Sequence, residues 1–253
     1  MHQHDTLHEV AAVLREARRV LVITGAGISA DSGLPTYRGV GGLYEDAATE
    51  DAVPIEEALS GPMFQRDPGL TWKYIGQIEA ACRGAAPNEG HRALARMEPR
   101  FDSLRVITQN VDGFHRRAGS TDVIEMHGNI QSLYCTGCGH RETVTDFSHI
   151  EGLPPLCPDC GGVIRPDVVL FGEMLPPAAV SAYERALGDL PDAVISVGTT
   201  AVFPYIAGPI VDAARRGVPT IEINPGDSEI SRLVDIRVRE RAAQALPALA
   251  EML

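Results

Sequence analysis

Short runs that are apolar almost from end to end recur along the chain, at 20–24 (VLVIT), 104–108 (LRVIT), 122–126 (DVIEM), 167–171 (DVVLF), 192–197 (DAVISV) and 218–223 (VPTIEI). A weaker one lies at 234–238 (VDIRV). A strand with one wet face alternates apolar and polar residues. A strand that is apolar throughout has to be covered on both sides, as in a parallel sheet between helical layers. Helical periodicity fills the intervals. Leu7, Val10, Ala11, Leu14 and Ala17 share one face over 7–18, and similar patterns occupy 177–189, 204–216 and 241–252. This order predicts an α/β fold, a Rossmann-like doubly wound parallel sheet.

Two stretches do not follow that rhythm. Residues 40–95 read as loops and helices, and 132–165 carry four cysteines with several glycines and prolines but few bulky apolar side chains. With 253 residues, the chain suits one nucleotide-binding domain with excursions. We therefore expect the Rossmann-like domain in three parts (1–39, 96–131 and 166–253), a helical insertion at 40–95, and a zinc-binding module at 132–165. A segment as short as that module lacks a sufficient core of its own, so a metal is expected to supply its stability.

The four cysteines fall as Cys135-x2-Cys138-x18-Cys157-x2-Cys160. That is the spacing of a structural zinc ribbon, in which four thiolates close the tetrahedral shell and leave no open position for catalysis. Two disulfides or a redox pair are the alternative, disfavoured in a reducing compartment. Cys82 stands apart on a helical pattern and reads as a buried small hydrophobe. Acidic residues outnumber basic ones 34 to 22, a net charge of −12, and no basic tract exists, so nucleic acid is not an expected partner. No run approaches the roughly 20 apolar residues of a membrane span. The start, MHQHDTLHEV, lacks the pattern of a secretory signal, which leaves a cytoplasmic protein as the expectation.

Three motifs stand where strands end. Gly25-Ala26-Gly27-Ile28-Ser29-Ala30 follows the first strand and matches the dinucleotide fingerprint, with a helix expected to open there and offer N–H groups to a pyrophosphate. A tight strand–helix turn would favour the same glycines. A dehydrogenase would show a second strand ending in an acid about 20 residues on, and none leads to the acids near 45–51. Hydride transfer is therefore not indicated. Thr108-Gln109-Asn110-Val111-Asp112-Gly113 places two amides and a carboxylate at a strand's carboxyl end, suited to ribose hydroxyls or an amide, or simply to capping the next helix. His127-Gly128 follows the strand at 122–126, where an imidazole serves as a general base or as a structural group.

Together, the stretches GAGISADSGLPTYRG (25–39), TQNVDGFH (108–115), HG (127–128), both C-x-x-C pairs, PDVVLFGE (166–173), VGTT (197–200) and IN (223–224) resemble the sirtuin family of NAD-dependent protein lysine deacylases, in the family's order and across nearly the whole chain. The resemblance implies a cleft between a Rossmann-like domain and a zinc module, holding NAD and an acylated lysine. It assigns Gly25, Ala26, Gly27, Ile28 and Ser29, with Tyr37 and Arg38, to the phosphates and the nicotinamide side. Gln109 and Asn110 would hold the nicotinamide ribose, Asp112 the carboxamide, and Gly198, Thr199, Thr200, Asn224 and Ala242 the adenosine half. His127 would be the base, with Asn110 beside it in the catalytic set, and the products would be free lysine, nicotinamide and O-acyl-ADP-ribose. Val168, Leu170, Phe171 and Gly172 would line the lysine tunnel, with the substrate peptide adding as a strand alongside. Tyr37 stands where phenylalanine is commoner in the family, and Thr200 where serine is usual.

Acyl specificity turns on a departure. Family members that favour succinyl- or malonyl-lysine carry a Tyr-x-x-Arg pair for the acyl carboxylate. Ungapped alignment on RDP (66–68) and PN (87–88) puts Ile75 and Ile78 at those places, and Leu59 where those enzymes keep alanine. A carboxylate buried there would lack a partner, so uncharged acyl groups are expected, acetyl first. Tyr74-x-x-Gln77, one residue out of register, is the alternative polar pair. Mono-ADP-ribosyl transfer, desuccinylation and a non-catalytic NAD- or zinc-binding module remain the competing functions.

Overall fold

A computed structural model describes residues 3–34 and 49–253. Helix α1 (Gln3–Glu16) leads into strand β1 (Arg19–Thr24). After the undescribed stretch come α2 (Ile55–Ala58), α3 (Gly61–Arg66), α4 (Pro68–Cys82) and α5 (Glu89–Met97). Strand β2 (Ser103–Thr108), helix α6 (Phe114–Ala118) and strand β3 (Val123–Glu125) follow, then β4 (Gly128–Cys135), β5 (Arg141–Thr143) and β6 (Ile164–Val168). The chain closes with α7 (Pro177–Gly188), β7 (Ala193–Val197), α8 (Pro204–Arg215), β8 (Thr220–Ile223), β9 (Ile236–Val238) and α9 (Ala242–Met252).

Six strands form one parallel sheet in the order β3-β2-β1-β7-β8-β9. Counted among themselves they run 3-2-1-4-5-6, the doubly wound arrangement in which the winding reverses between β1 and β7. Alternate residues of the central strands feed two cores. Val20, Val22, Leu104, Val106 and Ile195 face α1, α5 and α9, while Leu21, Ile23, Ile107 and Val194 face α7 and α8. That two-sided burial is why these strands are apolar throughout. Thr24 pairs with both Thr108 and Val197, so the three carboxyl ends are level and the loops that leave them meet.

The expected strand at 167–171 is not part of this sheet. Strand β6 pairs antiparallel with β4, which also pairs with β5, and residues 169–171 run on outside any strand. An apolar run signals burial, but its ladder partner is chosen by distant residues, here Gly128 and Leu133–Cys135. A second correction concerns the Gly25–Ala30 motif, which opens two short 3-10 turns (Ala26–Ile28 and Ala30–Ser32) instead of an α-helix. The Gly27 N–H donates to the Gly198 carbonyl at 2.8 Å, drawing the turn toward β7 instead of into an α-helical ladder.

The small sheet does not stand on its cysteines alone. Leu133, Val144, Phe147, Cys157 and Ile164 share an apolar core with Ala58, Leu59, Phe64, Trp72 and Ile75 of the helical segment. Trp72 is fully buried, its indole N–H donating to the Ile164 carbonyl at 2.7 Å and its ring 5.4 Å from Phe147. Protein packing thus supplements any metal. Helix α5 sits elsewhere, its Ala93, Leu94 and Met97 in the core of the large sheet.

Candidate active site and metal centre

A cavity of about 720 Å³ lies between the carboxyl edge of the large sheet and the smaller lobe, a size typical of small-molecule sites. One end is walled by Gly25, Ala26, Gly27, Gly198, Thr199, Thr200 and Asn224; the other by Leu59, Ile75, Ile78, Val168, Leu170, Phe171 and Gly172. Gln109, Asn110 and His127 stand between them. Residues from eight separate stretches therefore converge at the winding reversal, where open α/β sheets bind ligands.

Close backbone approach builds the first end. Gly198 has φ +58°, and a Cβ there would lie 2.5 Å from the Ile28 nitrogen and 2.6 Å from the Gly27 carbonyl carbon. Around this contact the side chains hold one another. Gln109 donates from Nε2 to Thr199 Oγ1 (2.9 Å), Asn224 donates from Nδ2 to the Thr199 carbonyl (3.0 Å), and Asn110 donates from Nδ2 to the Gly25 carbonyl (3.1 Å) and Ser29 Oγ (3.2 Å). Ser29 in turn donates to Asp112 Oδ2 at 2.7 Å. Asp112 Oδ1 accepts from the Phe114 N–H (2.9 Å), so the capping reading of this turn also holds. Burial raises the Asp112 carboxyl above the usual range, against the lowering effect of those two donors.

Asp112 and Ser29 face a second cavity of about 410 Å³, which shares Ala26, Ile78, Asn110, Val111 and Ile130 with the first. Cys82 lies in its wall and is only half-buried, correcting the expectation of a core residue. Behind this wall lies a pair of buried imidazoles. His115 Nε2 is 2.9 Å from Thr24 Oγ1 and its ring 5.0 Å from that of His91. Burial lowers His91 to about 4, with Arg92 adding, and lowers His115 to about 3, with His91 adding.

His127 sits between β3 and β4. Burial lowers its pKa, partly offset by a hydrogen bond with the Gln109 backbone. Its Nε2 lies 2.6 Å from Tyr205 Oη. Gly128 makes this placement possible: at φ +79° a Cβ would stand 1.9 Å from the Asp167 carbonyl oxygen, so only glycine allows β4 to approach β6 here. Val169 N–H donates to the His127 carbonyl at 3.0 Å. A buried Arg165 braces the segment beyond, pairing with Glu173 at 2.6 Å, while Leu170 N–H donates to Glu173 Oε2 at 2.9 Å.

The remaining expected residues divide. Ile28 and Ala242 are buried in the core of the large sheet and are absent from the cavity wall; the neighbour of Ala242, Arg241, lines it and pairs with Asp31 at 2.8 Å. Tyr37 and Arg38 lie outside the described residues. Tyr74 points away from the cavity, donating its hydroxyl to Asp51 Oδ2 at 2.5 Å, so it offers no polar pair to an acyl group. Residues 75 and 78, three apart on α4, share the face that lines the cavity.

At the other end of the small sheet, the sulfurs of Cys135, Cys138, Cys157 and Cys160 all lie within 4.8 Å of one another, and all four are free thiols. The Cys135–Cys160 and Cys138–Cys157 separations are 3.5 and 3.7 Å. Four sulfurs at about 2.3 Å from one tetrahedral zinc stand about 3.8 Å apart, so the cluster fits that ion. Backbone N–H groups, that of Cys138 foremost, lower the Cys135 thiol to about 6. Cys138, although favoured by the His140 N–H, is pushed up to about 12 by the sulfurs of Cys160, Cys157 and Cys135. Four sulfurs this close hold back one another's ionisation, and a cation among them would relieve that repulsion.

The family model described as Sir2 matches residues 25–204, a span that holds the glycine turn, the His127 loop, all four cysteines and the start of α8. The chain belongs to the Sir2 family. A Sir2 relative from Pseudomonas aeruginosa, NAD-dependent protein deacylase 2, is 50% identical over 250 residues, covering 98% of this chain and 97% of its own. An NAD-dependent protein deacylase 2 from Pyrobaculum aerophilum is 41% identical over 243 residues, 96% of this chain and 94% of its own. Among solved structures, a Sir2 homologue–NAD complex superposes with a TM-score of 0.84 at 34% identity, covering 96% of this chain and 92% of that one.

Several cavity residues of this Sir2 chain escaped the sequence reading: Val169, Glu173, Val202, Phe203, Tyr205 and Arg241. Val202, Phe203 and Tyr205 lie just past the VGTT motif, and the rule that ligands gather at strand carboxyl ends points to that loop. Nothing local marks Tyr205 as the partner of a histidine 78 residues away.

Proposed function

We propose that this chain is an NAD-dependent protein-lysine deacylase with acetyl-lysine as its preferred substrate. The observation that carries the reading is one cavity in which the glycine turns, the Gln109–Asn110 amides, the buried neutral His127 and an apolar Leu59–Ile75–Ile78 wall lie in continuous order. Its Sir2 relatives named as NAD-dependent deacylases, and the solved Sir2 homologues bound to NAD and to 2'-O-acetyl ADP ribose, support the assignment.

NAD as co-substrate supplies the ribose carbon that takes the acyl oxygen as nicotinamide leaves. With one water consumed as the lysine amine is released, the products would be free lysine, nicotinamide and O-acyl-ADP-ribose. Gly25, Ala26, Gly27, Ser29 and Gly198 would hold the phosphate side through close backbone approach. Asn224, Thr199 and Thr200 would hold the adenosine ribose, and Gln109 and Asn110 the nicotinamide ribose. Asp112 would take the carboxamide. His127 is the base: kept neutral by burial, its Nε2 lone pair removes a proton from a ribose hydroxyl near neutral pH. Zinc at the four cysteines has a closed shell and a structural role.

The acyl end explains the preference. Leu59 and Ile75 are buried and Ile78 is half-buried, so these side chains offer an acyl carboxylate no hydrogen-bonding partner, and Arg165 nearby is already taken by Glu173. The substrate lysine would enter along Val168, Leu170, Phe171 and Gly172. As further parts of this reading, residues 1–39, 96–131 and 166–253 would belong to the NAD-binding unit, 40–95 to the helical insertion, whose last helix α5 packs on the large sheet, and 132–165 to the metal module. Four reduced thiols holding a metal favour the cytoplasm. The test is mass spectrometry on paired acetyl- and succinyl-lysine peptides with purified protein and NAD. We expect acetyl loss with O-acetyl-ADP-ribose appearing and succinyl left largely intact. Succinyl loss outrunning acetyl would refute the pocket argument. Label from adenine-labelled NAD ending on protein, without O-acyl-ADP-ribose, would refute the deacylase reading itself.

A further inference from the structure

We infer that Tyr205 is a positioning residue for His127, donating its phenolic hydrogen to Nε2 and thereby setting both the tautomer and the basicity of that imidazole. The inference deepens the deacylase reading and rests on it only for the consequence in turnover. The Oη–Nε2 separation is 2.6 Å, and both side chains line the same cavity. The Gln109 backbone also hydrogen-bonds the ring, and its raising effect is that of a carbonyl accepting N–H, which we assign to the nitrogen that Tyr205 leaves free. Nδ1 therefore carries the proton, and Nε2 presents the lone pair that a base must use.

Tyr205 is built to hold this place. It follows Phe203 and Pro204 at the start of α8, with its ring stacked on Phe203 at 5.5 Å and 17°. Both rings meet His127 edge-on, with centroids 6.0 Å (Tyr205) and 6.1 Å (Phe203) from the imidazole. The Tyr205 carbonyl accepts from Tyr183 Oη at 2.7 Å, which ties the residue to α7. Burial pushes the phenol up to about 12, so it stays a donor across the working range. The charged groups around His127 are engaged elsewhere. Glu125, two residues before it, is bound by Arg116 and Asn129; Glu173, beyond β6, by Arg165; and Asp31, across the cavity, by Arg241. Tyr205 is thus the side chain that hydrogen-bonds the working nitrogen.

A donor on Nε2 stabilises the neutral ring, so it lowers the pH at which His127 becomes protonated. The arrangement also sets an order of events. A ribose hydroxyl can reach the lone pair only as Tyr205 yields it, leaving the phenol beside the hydroxyl that is losing its proton.

The experiment uses Tyr205→Phe in zinc-loaded protein, which keeps the Phe203 stack and the backbone bond to Tyr183. The His127 Cε1 resonance, identified by its loss in His127→Gln, is titrated by NMR in the unliganded wild type and the variant. Its midpoint is expected to rise by about half to one pH unit, the size of one net hydrogen bond. The acid limb of kcat/KM should move up by the same amount. An unmoved His127 midpoint would overturn the inference, and so would a moved midpoint with an unmoved acid limb. Wild type without NAD-dependent deacylation would refute the reading of function, while the resonance alone would still decide the Tyr205–His127 pair.

Discussion

The contact between the two glycine turns is the point where fold and cofactor site are most tightly joined, and Gly198→Ala tests it. At φ +58° an alanine sits in the left-handed region, at roughly 1–2 kcal/mol. Its Cβ would stand 2.5 Å from the Ile28 nitrogen, 2.6 Å from the Gly27 carbonyl carbon and 2.8 Å from the Gly27 Cα. Ordinary contact is about 3.5–4.0 Å, so the turns must part by about 1 Å. Two hydrogen bonds cross the same gap, from Gly25 N–H to the Val197 carbonyl (3.1 Å) and from Gly27 N–H to the Gly198 carbonyl (2.8 Å). Backbone conformation, overpacking and a weakened bond or two sum to about 3–5 kcal/mol. For a chain of this size that is a fall in Tm of roughly 6–20 °C. NAD affinity should fall more than about tenfold, because the backbone donors move with the turns. Thermal unfolding and calorimetric titration with NAD measure both. A Tm within about 2 °C of wild type with affinity within about threefold would show that the turns tolerate a side chain, and the close-approach argument would fail.

Two further predictions concern stability. His91 and His115 are neutral in the fold, at about 4 and about 3, and both return to the ordinary imidazole value of 6.5 when unfolded. The unfolded chain then binds more protons below that value. Their contribution is complete above about pH 6.5 and declines as pH falls, by up to about 1.4 kcal/mol per pH unit for each ring. Asp112, raised by burial, acts in the opposite direction. Urea unfolding at about pH 7.5, 6 and 5 should show the decline, and equal stability across that range would mean that the rings gain no charge on unfolding. For the metal centre, Cys135→Ser should lower zinc content and Tm together, and a chelator should lower the Tm of wild type. One equivalent of zinc retained at an unchanged Tm would refute the four-thiolate site.

Chain-local physics made much of this molecule legible. Continuously apolar runs announced β1, β2, β3, β7, β8 and β9 because the central strands are buried on both faces, and periodicity placed α1, α7, α8 and α9 within a few residues. The cysteine spacing announced the metal cluster because two C-x-x-C turns bring their thiols together with little help from the rest of the fold. Tertiary structure alone decided which sheet took the run at 167–171. Burial is written in a strand's own residues, whereas its ladder partner lies in β4. It alone turned Tyr74 toward Asp51 and left Ile75 and Ile78 facing the cavity, a choice set by where α4 docks. It alone brought Tyr205 to His127, since two residues 78 apart meet only after β3 has joined the large sheet and α8 has packed on it.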